Sequence, residues 1–488
     1  MNFLRNPVIL GYSLLALVTL IASRNRFGSL IGGALPSSPS GARDLFKLYF
    51  ESWHQVGMGS AHASPPWIAV LAVASIVFLG KAQLLITLFF LVAPILMMWS
   101  AQSFLKGFSK NTFIVVGASL LYAISPVAIA STNAGRIATM VVLILAPQLP
   151  KLVNNWKDVE KQSWRKIYSL AIFLGLLNAF TLIITLITLG FVGFAIFVDY
   201  RSKIEKPIFL ERLYKRLVIL GAPFLLVVPY SLEALVKPSR FLAEPGLALA
   251  GGHTGLVLAG NPGGVGSLPW WILSPVLLVL IVALFSSTIA RPIAQYGLAL
   301  LSAAVLFSGL SITAHGNGNP TAVWTGTFLV GATLAAVTAG VVILDRIRNV
   351  LIISNIHYRH FLAGLLLIVT AMYSVLGIAW SISSGANSPL RSSTNTVMPA
   401  FLTAELDTKT LVLREIETDG SKSTQYYISR GSDISLGEPD VAPGQIRELE
   451  VAAQELIDGS GISSSQIFAA YGIKYVFIKN PFDQCLKL

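Results

Sequence analysis

DLFKLYFESWHQVGMGSAHASPP, residues 44–66, is the polar stretch around which the rest of the chain is organised. Hydrophobic blocks lie on both sides of it. The stretch itself gathers two acids (Asp44, Glu51), two histidines (His54, His62), Trp53, Tyr49 and a Gly/Ser/Pro-rich end. Outside it the composition suits lipid. Hydrophobic residues make up 54% of the chain and charged residues 12%, where a soluble chain carries roughly 25% charge. Mean hydropathy is +0.70. The apolar residues come in blocks close to the roughly 20 a spanning helix needs.

Working outward, the pattern predicts a first span at Pro7–Ser23, preceded by Arg5 and lacking a small-residue cleavage site, so it reads as an anchor. After the polar loop, Trp67–Leu79 offers about 13 apolar residues behind Pro65-Pro66. That is short for a crossing and suits an interfacial or re-entrant segment. Spans follow at Leu84–Ser100, Thr112–Ala130 and Ile137–Pro150. The apolar block Ile167–Val198 lies between two basic clusters, KLVNNWKDVEKQSWRK (151–166) and RSKIEKPIFLERLYKR (201–216). A single crossing would put the clusters on opposite sides, against the positive-inside rule. A helical hairpin turning near Asn178–Thr181 puts both in the cytoplasm. Later spans are expected at Leu217–Leu235, Trp270–Ala290, Ile293–Thr313, Trp324–Leu344 and Phe361–Ser381. Trp270, Trp271 and Trp324 stand at span edges, where interfacial indoles belong.

The expected fold class is therefore mainly α: a polytopic integral membrane protein of about eleven transmembrane helices with a small extracytoplasmic α+β C-terminal domain. Residues 1–381 form the transmembrane domain, with 24–66 as its first outer loop. Residues 382–400 are a Ser/Pro-rich linker, and 401–488 form the outer domain. The N-terminus is cytoplasmic and the location is the plasma membrane. Charge supports this layout: the inside segments hold 18 Lys/Arg and the outside segments 8. The net charge of +12 resolves into +16 over residues 1–381 and −4 over the tail. The excess base reports topology and contact with membrane lipids. No basic-aromatic module points to nucleic acid. Cys485 is the only cysteine, which excludes an intramolecular disulfide framework and a Cys-rich metal site.

In this layout four outward loops open to one face: 24–66, the STNAGR turn (131–136), 236–269 and 314–323. Ionisable groups near membrane are costly and mark function. Asp44 and Glu51, seven residues apart, share a helix face and supply a candidate general base, assisted by His54. The competing reading is an amphipathic surface helix with solvated acids. Arg136 has the donor fork to clamp a phosphate; lipid-headgroup contact explains it equally well. Glu233 and Glu244 are further acids. His62, His253 and His315 have no metal-ligand spacing. The Gly-rich run 251–266 lacks a Gly-Lys-Ser/Thr ending, so it is not a phosphate loop. No metal ligands are assigned, and a divalent cofactor is left open.

HASPPWIAVL, followed by AQSFLKGFSKNTFIVVGASLLYAISPVAIASTNAGRIATM, resembles the front half of polytopic C-type glycosyltransferases. The resemblance implies an outer-face enzyme using a polyprenyl-phosphate-linked sugar, with Asp44 matching the catalytic acid of the first outer loop by position. Ser125-Pro126 matches the family's Ser-Pro span end. The second acid expected after the Arg136 turn is missing. SWHQVGMGSAHASPP, NAGRI, FLAEPGLAL and AAYGIKYVFIKNP resemble the membrane half of actinobacterial envelope proteins that carry an N-terminal family-2 glycosyltransferase domain. This chain begins at its first span, so a nucleotide-sugar route is not expected of it.

The expected function is sugar transfer from a polyprenyl-phosphate donor in bacterial cell-envelope glycan assembly. Asp44 and Glu51 are the catalytic candidates; Arg136, His54, Trp53, His62 and Glu244 are the binding candidates. The rival readings are a non-catalytic membrane partner of a separate cytoplasmic family-2 glycosyltransferase and a lipid-linked glycan transporter.

Overall fold

The computed structural model describes residues 6–39, 41–152, 158–247, 254–264, 266–272, 274–286, 289–313, 321–353, 358–392, 408–418, 421–430, 434–443, 446–457, 459 and 464–479. The front half comprises α1 (Pro7–Ala22), strand β1 (Leu30–Ile31), α2 (Ala42–Phe50), α3 (Trp67–Val77), α4 (Ala82–Leu105), α5 (Thr112–Ala123), α6 (Pro126–Asn133), α7 (Ile137–Leu145) and α8 (Leu149–Leu152). Then come α9 (Trp164–Phe180), α10 (Ile183–Arg201), α11 (Lys206–Leu225), α12 (Tyr230–Val236), α13 (Thr254–Leu258), α14 (Val276–Leu284) and α15 (Ala290–Ser308). The two-residue strands β2 (Ser311–Ile312) and β3 (Thr321–Ala322) precede α16 (Gly326–Ile353) and α17 (Tyr358–Ala386).

Local chemistry sets the boundaries. Asn6 starts α1 by accepting the Val8 amide at 3.0 Å, and Asn111 starts α5 by accepting that of Phe113 at 3.0 Å. Each satisfies a helix-start N–H that has no partner inside the helix. Pro126 has no N–H to continue α5, so the expected Thr112–Ala130 span is two helices bent by 40°. Likewise Leu217–Leu235 is α11 and α12, bent by 99° around Pro229. The expected Trp270–Ala290 span reduces to the nine residues of α14, which starts only after Pro275. By length and composition, four described helices are apolar and long enough to cross a membrane: α4, α10, α15 and the first 23 residues of α16. Counting each bent pair as one span gives six.

Trp67–Leu79 yields only the 11-residue α3. It lies beside α2 and buries Trp67 and Ile68 in the main core with Phe90, Met97 and Tyr122. The hairpin expected in Ile167–Val198 is present. α9 ends at Phe180, α10 begins at Ile183, and Thr185 Oγ1 donates to Asn178 Oδ1 at 3.1 Å across the turn.

The basic clusters flanking that hairpin meet at one end of the helical body. Arg212 donates to Glu160 at 2.7 Å and to Asp199 at 3.1 Å, and Arg216 to Asp199 at 2.5 Å. Lys215 donates to the carbonyls of Glu160 and Gln162 and to Glu211. The same end gathers Lys151 on Ser103 (2.5 Å) and Ser109 on Asp345 (2.5 Å).

At the opposite end the loops interlock. Ala34 N donates to Ala134 O at 2.7 Å, and Leu247 N donates to Ala34 O at 2.9 Å. Within 382–392, α17 runs to Ala386, and β4 (Arg391–Ser392) pairs antiparallel with β1. Buried Arg26 ties these segments by donating to Asn133 Oδ1 (2.6 Å), Ser388 Oγ (2.9 Å) and Gly385 O (3.3 Å). The tail is a small mixed sheet in which the β5 (Lys409–Thr418) and β6 (Ser421–Arg430) hairpin is antiparallel and β7 (Ile473–Lys479) lies parallel to β5. Helices Arg447–Ile457 and Ser464–Ala470 cover it, closing a core of Leu411, Leu413, Leu449, Ala452 and Phe468.

Candidate functional site

The site is built at the interlocked end, starting from the NAGR turn. Gly135 has φ +70, and a Cβ there would meet Leu35 Cβ at 2.9 Å and Gly32 O at 3.0 Å. Only glycine lets the turn close against the first loop. The turn delivers Arg136 to the start of α7, 3% exposed, with its guanidinium carbon 3.8 Å from the centre of the Trp324 ring. That is close stacking of a cation on an indole face.

Thr139, one turn into α7, links two groups through three hydrogen bonds. Its hydroxyl accepts from Trp324 Nε1 at 2.9 Å and donates to Glu244 Oε1 at 2.7 Å, while its amide donates to the same oxygen at 3.0 Å. Glu244 thus occupies the N-terminus of α7, where unsatisfied amides favour a carboxylate. It is 7% exposed. Its other oxygen, Oε2, is buried and makes no hydrogen bond among the described residues. Burial raises the Glu244 proton affinity above its ordinary value, opposed by Arg136 and by the two Thr139 bonds. A carboxylate with one oxygen fixed and the other bare is positioned to accept a proton.

A second group continues from it. Asp440 of the tail accepts the Gly246 amide at 3.2 Å and 3.3 Å. Arg240 pairs with Glu233 at 2.6 Å, and Glu233 also accepts the Ala63 amide at 2.6 Å and faces His62 Nδ1 at 3.5 Å. Burial, then Arg240 and Lys237, lower the proton affinity of His62. His54 is buried, with Nε2 3.0 Å from His62 O. The structure therefore brings together Arg136 with Glu244, and His54 with His62 and Glu233.

The first-loop acids are placed differently. Asp44 is on the exposed face of α2, where it accepts the Gly41 amide at 3.2 Å in the first turn. The helix ends at Phe50, so Glu51 does not share its face as expected; it stands at the end with extended backbone, pairing with exposed Lys47 at 3.5 Å. Trp53 is 57% exposed. Its ring lies against Gly59, where a Cβ would approach it to 2.5 Å. His253 and His315 lie outside the described residues, as does part of the Gly-rich run. Among the described residues no group of three His, Cys, Asp or Glu is arranged to hold a metal ion.

Thr139, Trp324, Arg240 and Asp440 were not singled out by the sequence. Trp324 was read as an interfacial indole at a span edge, yet it is 3% exposed. Arg240 was counted only as an outer-loop charge. The usable signal was weak: a threonine one turn after the Arg136 turn, on an otherwise apolar helix.

No family model matches the chain, and no curated protein sequence matches it. Solved structures do. The helical body and tail together share their fold with one solved structure. That structure is the arabinofuranosyltransferase AftD from mycobacteria, which aligns with a TM-score of 0.51 at 12% identity over 97% of this chain. The chain spans 37% of the length of that protein. An Archaeoglobus fulgidus oligosaccharyltransferase aligns at a TM-score of 0.40 and 14% identity, over 81% of this chain and 55% of its own.

Proposed function

We propose that the protein is a membrane glycosyltransferase of cell-envelope glycan assembly, transferring a sugar from a polyprenyl-phosphate donor to an acceptor hydroxyl. The observation that carries this reading is the buried group Arg136–Trp324–Thr139–Glu244, in a fold similar to that of an arabinofuranosyltransferase. The reaction needs a base for the acceptor hydroxyl and a cation for the phosphate that leaves, both near the headgroup plane. Glu244 supplies a carboxylate whose proton affinity burial raises, which suits proton abstraction. Arg136 supplies the guanidinium, and its stacking on Trp324 restrains it. One direct displacement would invert the anomeric carbon.

The interlocked end faces the outside in this reading, and the N-terminus lies in the cytoplasm. The gathering of both basic clusters at the other end supports that orientation. The about eleven crossings of the sequence reading then include the short apolar helices as well as the four to six long ones. His54, His62 and Trp53 line the first-loop side, toward the acceptor. A separate family-2 glycosyltransferase is a partner in the alternative reading, in which this chain does no chemistry.

Asp44 stays in the proposal as the competing base, because the first outer loop is where the family resemblance puts it. The test pairs Glu244→Gln with Asp44→Asn in a transfer assay with a synthetic polyprenyl-phosphate sugar. With Glu244 as base, the glutamine variant loses about 10²–10⁴-fold in turnover and the asparagine variant stays within a few-fold. The reverse pattern moves the chemistry to Asp44. Full activity in both removes both carboxylates as the base, and no transfer by the wild-type chain removes the enzymatic reading.

A further inference from the structure

Resting on Glu244 as the reacting carboxylate, we propose that Asp440 is a positioning residue for it. The tail holds the Glu244 loop in register, so the tail is part of the site.

The argument starts with where the segment around Asp440 packs. Its neighbours in sequence belong to the membrane body. Leu436 is buried in the main core, with Ile68, Trp67 and Leu45. Leu436 N donates to Ser37 O at 2.8 Å, Ser37 Oγ donates to Ile434 O at 3.0 Å, and Ser37 and Ser435 form a parallel bridge. Gly437 has φ +93 and comes so close to α2 and α3 that a Cβ would lie 2.8 Å from Leu48 and Ile68 side-chain atoms. The short helix Glu438–Val441 is thereby wedged into the body, and Asp440 is 2% exposed.

From there its carboxylate accepts from the amide of Gly246, two residues beyond Glu244. The loop is held from the other side too. Leu247 N donates to Ala34 O, and Gly246 passes that same oxygen so closely that a Cβ would lie 2.2 Å from it. The Glu244 loop is thus fixed between the tail and the first loop. Asp440 provides the half of that clamp that residues 1–381 do not. Removing its oxygen frees the Gly246 amide and lets Glu244 drift from Thr139. A displacement of about 1 Å at a reacting group costs on the order of 10²-fold in rate.

The experiment uses the full chain in lipid nanodiscs and compares Asp440→Ala, Asp440→Asn, Asp440→Glu and Glu244→Gln. Amide exchange over 241–247 is read by mass spectrometry beside kcat and donor KM. Asp440→Ala should exchange faster in that segment by about tenfold and lose about 10²-fold in kcat, with donor KM little changed. Asp440→Asn, whose amide oxygen accepts the same N–H, should restore both. Asp440→Glu keeps the carboxyl group but pushes the loop by a methylene, so it should recover less than asparagine; this comparison stands even where the alanine variant fails to fold. Wild-type exchange and kcat in all three Asp440 variants overturns the proposal. So does faster exchange at unchanged kcat. Full transfer by Glu244→Gln removes the reacting carboxylate instead, and the positioning role with it, whatever the exchange shows.

Discussion

The two ends of the helical body both bury charge, and they handle it in opposite ways. At the end where the basic clusters meet, Glu160, Asp199 and Glu211 are each paired with a cation. Arg212 is shared between Glu160 and Asp199, Arg216 takes the other Asp199 oxygen, and Lys215 fills its sites with carbonyls and Glu211. The hydrogen bond from Arg212 holds the Glu160 carboxyl below its usual range. At the interlocked end Glu244 has one oxygen fixed and one bare, and its proton affinity is raised. A network of paired charges acts as a brace. An unsaturated one, in a buried place, is kept at a cost to stability and is where chemistry is to be expected.

Variants at the two ends should therefore separate activity from stability. The largest effect belongs to Glu244→Gln, about 10²–10⁴-fold off turnover with an unfolding midpoint near that of wild type, checked by transfer assay and thermal unfolding in the same detergent. At the braced end Asp199→Ala leaves Arg216 buried without its carboxylate. It should lose about 3–5 kcal/mol of stability, while the fraction that stays folded transfers sugar at the wild-type rate. Gly246→Ala sharpens the contrast, since a Cβ would collide with Ala34 O at φ +93. Its strain should cost about 1–3 kcal/mol and lower transfer as well, because the loop carries Glu244. The smallest effect is expected for Lys161→Ala, which breaks an exposed pair with Asp158 at 3.7 Å and should change stability by less than about 1 kcal/mol.

The same contrast explains what could be read in the chain. The braced end was legible because it follows from counting charge: two basic clusters around an apolar block too long for one helix required a hairpin, and the turn falls at Thr181–Leu182. Arg136 was legible as a charge in a tight turn before a span, and Glu244 as an acid of the third outer loop. That they meet was not, because 108 positions separate them and nothing local encodes the encounter. Trp324 was misassigned because the rule for interfacial indoles ignores what the ring stacks on. Asp440 was hidden in the tail, whose periodicity marks it as a separate small domain and gives no sign that one of its loops enters the body. The stretches expected as spans at Leu217–Leu235 and Trp270–Ala290 are interrupted at Pro229 and Pro275, which a reading from composition passes over.

The most direct measurement is the pH dependence of sugar transfer, followed as kcat/KM for the donor by the full chain in nanodiscs. A base must be deprotonated, so activity rises with pH through its proton affinity. Buried Glu244 places that acidic limb above the ordinary carboxylate value of 4.5, and the limb should disappear in Glu244→Gln along with most of the turnover. A limb at or below the ordinary value, kept unchanged in the glutamine variant, would mean that an exposed carboxylate such as Asp44 takes the proton, and would contradict the assignment of chemistry to the buried end.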